Sequence, residues 1–114
     1  MLFRSTPMYL RLHKRGEPQL HSGIPTLAPC QPLQILSSPG ADVSVVVVGF
    51  LASEVLRIAR FNKVNVDVYT LPLWGAQHRG RVVNALSRYK TIISVEDHML
   101  DGGFGSWQIG RAHV

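Results

Sequence analysis

Three consecutive residues carry most of the chemistry that this chain offers: Glu96, Asp97 and His98, directly after the β-branched stretch Thr91–Val95. An acidic pair beside an imidazole can move a proton or orient a substrate hydroxyl. Shortly beyond them, Asp101-Gly102-Gly103-Phe104-Gly105 gathers three glycines. Their backbone amides could cradle a small anion where a helix begins. The spacing matches neither a Walker loop nor a dinucleotide-binding fingerprint. No nucleophile stands at a recognisable distance from the acidic pair. A plainer account therefore competes: the glycines let a strand end turn tightly, and the acids hydrogen-bond across that turn or meet a neighbouring subunit. The candidate site is Glu96, Asp97, His98, Gly102, Gly103 and Gly105, for an anion or an interface. No catalytic, cofactor-binding or metal-ligating residue is assigned.

The other reactive residues are scattered. His13, His21 and His78 stand alone, none with a helical i, i+4 partner for a metal. Cys30 is the single cysteine, lying between Pro29 and Pro32, which excludes an internal disulfide and a cysteine zinc cluster. A reduced, cytoplasmic location is expected. Trp74 and Trp107 follow turn signals and are expected in a core or an interface. The net charge is +5, yet only Lys14 and Arg15 are adjacent basic residues and no aromatic residues interleave with a basic stripe. No nucleic-acid partner is expected. The longest apolar run, Val43 to Ala52, is broken by Ser44 and Gly49. It is far below the roughly 20 residues of a membrane span, so no membrane partner is expected either.

These residues need a scaffold, and the pattern supplies one. With 114 residues, 46% of them hydrophobic and 17% charged, the chain suits one globular domain rather than a disordered tail. Six of the seven prolines fall in the first 40 residues, which reads as an extended connector over 13–41. Met8–Leu12 and Leu33–Leu36 are the short strand candidates of the proline-rich first 40 residues, and the folded part is expected to begin at Asp42. Val43–Val48 is a continuous β-branched run, the mark of a strand covered on both faces. Leu51–Phe61 sets Ala52, Val55, Leu56 and Ala59 at helical spacing. Val64–Leu71 reads as a second strand, stopped by Pro72. A second helix is expected over 76–88, with Val82, Val83 and Leu86 inward and Arg79, Arg81 and Arg88 outward. Thr91–Val95 is the third strand. Alternating strands and helices predict an α/β fold of three layers, with a mainly parallel sheet between helices.

In this order the segments resemble the C-terminal domain of transketolase-type, thiamine-diphosphate-dependent enzymes. Four places carry the resemblance: Pro7-Met8-Tyr9-Leu10-Arg11-Leu12, the valine run ending at Gly49 before Ser53-Glu54, Thr70-Leu71-Pro72-Leu73, and Ser94-Val95-Glu96-Asp97-His98 through Gly102-Gly103-Phe104-Gly105-Ser106. The last is the most specific. Trp74 departs from the pattern, which commonly has an acidic residue there. The resemblance implies that 1–12 is a remnant of a preceding pyrimidine-binding domain and that 42–107 is a C-terminal domain with an incomplete last helix. It further implies a parent enzyme that transfers a two-carbon ketol unit between sugar phosphates. Transketolase proper, deoxyxylulose-phosphate synthase and the β subunits of 2-oxoacid dehydrogenases share this domain. Thiamine diphosphate and a divalent metal would be held by the parent's other domains, in a homo-oligomer, and none of their ligands maps onto this chain. The implied role here is subunit packing, with no catalysis by the chain alone. A stand-alone anion-binding module using the Gly102–Gly105 turn is the alternative.

Ile109-Gly110-Arg111-Ala112-His113-Val114 looks like one reading frame of a common short-read sequencing adapter. Residues 108–114 are therefore set aside as a non-native tail. Leaving out Arg111 lowers the net charge of +5 by one. Without a closing helix and last strand after Ser106, one sheet face is expected to lie uncovered, leaving a marginally stable fragment.

Overall fold

The computed structural model describes residues 7, 12, 15–75, 78–97, 103 and 104. Within them the chain forms β1 (Leu33–Leu36), β2 (Val43–Val48), α1 (Ala52–Phe61), β3 (Asp67–Thr70), α2 (Arg79–Leu86) and β4 (Thr91–Glu96). The strands make one mixed sheet in the order β1-β3-β2-β4. β2 runs parallel to both β3 and β4, whereas β1 is antiparallel to β3. The α/β class and the mainly parallel sheet agree with the sequence pattern.

Side-chain alternation sorts the core onto the two faces of the sheet. Val46 and Tyr69 point to one side and pack with Val82 and Leu86 of α2, together with Tyr89 and Phe104. Val45, Val47 and Val68 point to the other and pack with Ala52 and Ala59 of α1. The two helices thus cover opposite faces, giving three layers. Central position explains why the valine run of β2 is continuous: Ser44, Val45, Val46 and Val47 are all buried. The small side chains of Ala52 and Ala59 turn α1 toward the sheet. Glu54 in its first turn and Arg60 in its last complement the helix dipole. Gly49, at φ 97°, takes the left-handed conformation that lets β2 turn toward α1.

The structure moves several boundaries. The sheet begins before Asp42, because β1, flanked by Pro32 and Pro39, joins it as an antiparallel edge where proline neighbours are tolerated. The second strand is shorter than 64–71. Lys63 sits at φ 52° and the Val66 N–H bonds back to Val64 O, so ladder pairing starts only at Asp67. Helix α2 starts at Arg79 rather than 76, because His78 holds the left-handed φ of 62° and cannot continue a helix backwards. β4 runs one residue past Val95 and includes Glu96. The strand candidate Met8–Leu12, apart from exposed Leu12, lies outside the described residues. So does the helix expected after the glycine turn, apart from Phe104.

Candidate functional site

The C-terminal ends of β2, β3 and β4 meet at one end of the sheet, where open α/β folds place their ligand crevice. Glu96 is the last residue of β4 and shares a face with Ile92, which packs against the α2-side core. Its Oε2 accepts a hydrogen bond from the Phe104 N–H at 2.6 Å. Phe104 is fully buried and meets Trp74 edge-to-face, with ring centroids 5.7 Å apart at 78°. Gly103 is buried too, and a Cβ placed there would lie 2.4 Å from Glu96 Oε1. A side chain at this position would have to displace the end of the Glu96 side chain, so glycine here lets the carboxylate pack against the backbone.

Here the structure brings together two of the six predicted residues, Glu96 and Gly103. Asp97 is exposed at the strand end. His98, Gly102 and Gly105 lie outside the described residues. What Glu96 does chemically is to satisfy the Phe104 backbone amide with a charge-assisted hydrogen bond. A negative charge already stands on that amide, so an incoming anion would face repulsion at the spot where the turn would have to receive it.

Cys30 helps to close the same end of the sheet. It is buried, its N–H donates to Leu73 O at 2.7 Å, and its left-handed φ of 57° is held by that bond and by core packing. Trp74 covers Phe104 while keeping about a third of its own surface exposed, so it belongs partly to the core, as its type suggested. His78 is exposed and His21 half-buried; His13 and Trp107 lie outside the described residues.

A second polar cluster, which the sequence pattern does not reveal, sits at the opposite end of the sheet. Asp67 opens β3 with 3% of its surface exposed. Its Oδ1 accepts the Ser38 N–H at 2.8 Å, and its Oδ2 accepts the Tyr89 hydroxyl and the Arg88 Nη2, the latter at 3.2 Å. Tyr89 also shares a hydrogen bond of 2.6 Å with the Tyr69 hydroxyl. The Arg88 guanidinium lies 4.2 Å from the centre of the Tyr89 ring, a cation–π contact. Burial pushes the Asp67 carboxyl up, but Ser38, Tyr89 and Arg88 together outweigh it and hold the carboxyl below its ordinary range. Burial, then the bonds to Asp67 and Tyr69, push Tyr89 well above an ordinary phenol. An acid held ionised and a phenol held protonated make a stable clasp, and neither is tuned for proton transfer near neutrality. The cluster ties the β1–β2 loop, β3 and the α2–β4 loop together. A buried Asp inside an apolar strand was the available signal, since such a group requires partners.

Two surface recesses lie elsewhere among the described residues. One of about 260 Å³ lies between the end of β1 and the end of α1, lined by Ser38, Arg60, Lys63 and Asn65 among others. The other, about 350 Å³, lies at the start of α1, where Arg15 stands beside Glu17 and Glu54. Neither is lined by Glu96, Gly103 or Phe104. Among the described residues, no group of three or more His, Cys, Asp or Glu side chains could hold a metal ion, and no helix is long and apolar enough to cross a membrane. Comparison of the chain with protein-family models, curated proteins and solved structures gives no match.

Proposed function

We propose that this chain is a structural and subunit-packing module, the C-terminal domain of a transketolase-like enzyme, without catalysis of its own. The observation that carries this reading is the use made of Glu96 and Gly103. The acidic strand end and the glycine turn, which could have been a proton-transfer or anion site, are joined to each other by the 2.6 Å bond from Phe104 N–H to Glu96. The same segment, Val95-Glu96-Asp97-His98 through Gly105, is the one that most resembles the family. The buried clasp around Asp67 argues in the same direction, since its charges stabilise loops. Thiamine diphosphate and its divalent metal belong, on this reading, to the parent's other domains. No residue described here is assigned to them.

The test is a transplant. A transketolase-type enzyme whose C-terminal domain is replaced by residues 33–107 of this chain should assemble as a dimer and keep ketol transfer from a ketose phosphate to an aldose phosphate. A folded hybrid that fails to assemble would refute the reading. So would turnover, or tight binding of thiamine diphosphate, by the 114-residue chain alone. The alternative, a small-anion module, predicts a rise in melting temperature with millimolar phosphate. The Glu96 carboxylate on the turn argues against it.

A further inference from the structure

We draw no further inference here: the strongest candidate, the buried Thr70 hydroxyl at the C-terminal end of β3 beside Val47 of β2, which has no hydrogen-bond partner among the described residues, lines neither of the two surface recesses and so shows no place for a ligand.

Discussion

Replacing Gly103 by alanine tests the account of the β4 end most sharply. The new Cβ would lie 2.4 Å from Glu96 Oε1, 2.9 Å from Cδ and 3.1 Å from Oε2. Three atoms of one carboxylate are too close, so the whole group has to leave. Leaving breaks its bond to the Phe104 N–H, and a charge-assisted bond of this kind contributes about 1.5–3 kcal/mol. The smaller entropy of an unfolded chain with alanine returns about 0.4–1 kcal/mol. Gly103→Ala should therefore destabilise the fold by about 1–2 kcal/mol, a melting shift on the order of 10 °C for a domain this small. Urea unfolding followed by tryptophan fluorescence is a fitting assay, since Trp74 packs on Phe104. The decisive comparison is a double-mutant cycle with Glu96→Ala, which itself removes the carboxylate. In that background only the entropy gain remains, and Gly103→Ala should stabilise the fold by about 0.4–1 kcal/mol. An equal cost in both backgrounds would show that the glycine answers to something other than Glu96, and the reasoning would fail.

The clasp at the other end of the sheet gives two further expectations. Tyr89→Phe keeps the buried ring but removes the hydroxyl that serves Asp67 and Tyr69. Denaturant unfolding should show a loss of about 2 kcal/mol, and a loss under about 0.5 kcal/mol would mean the hydroxyl contributes no net bond to a charge. Stability should also depend on pH in a defined way. The folded Asp67 carboxyl titrates below its ordinary range, so its contribution is present above about pH 4 and lost as pH falls through the lower folded value. The folded Tyr89 titrates above its ordinary range, so its contribution is lost as pH rises past about 10. Asp67→Asn should flatten the acid limb of the unfolding midpoint against pH; an unchanged limb would assign that limb to other carboxylates.

Periodicity made the central architecture legible from particular residues. The unbroken valines of 43–48 announced a strand buried on both faces, and Ala52, Leu56 and Ala59 announced the helix that covers one of them. What periodicity missed depends on local backbone state or on long-range pairing. Nothing in His78 or Lys63 marks them for left-handed conformations, yet those conformations set where α2 and β3 begin. Nor does Leu33–Leu36 say that its partner lies at 68–70. The candidate site was half legible: glycines after an acidic strand end suggested a turn needing hydrogen bonds, and Glu96 supplies one. The Asp67 clasp stayed hidden because Ser38, the pair Asp67 and Tyr69, and the pair Arg88 and Tyr89 come from three separate segments that only the folded sheet brings together.

The strand order has a consequence for the chain as it is synthesised. Among the described residues no two paired strands form a hairpin; β2 meets β3 only after α1, and its other side waits for β4, whose Thr91 pairs with Val43. Translation at about 5–20 residues per second separates the appearance of those two residues by about 2–10 s. Throughout that interval Val-Ser-Val-Val-Val-Val leaves the ribosome with one flank bare, a short, uncharged, β-prone segment of the kind that self-associates. A chaperone that holds valine-rich strands early in synthesis would raise the yield of this protein more than one that acts on the finished chain.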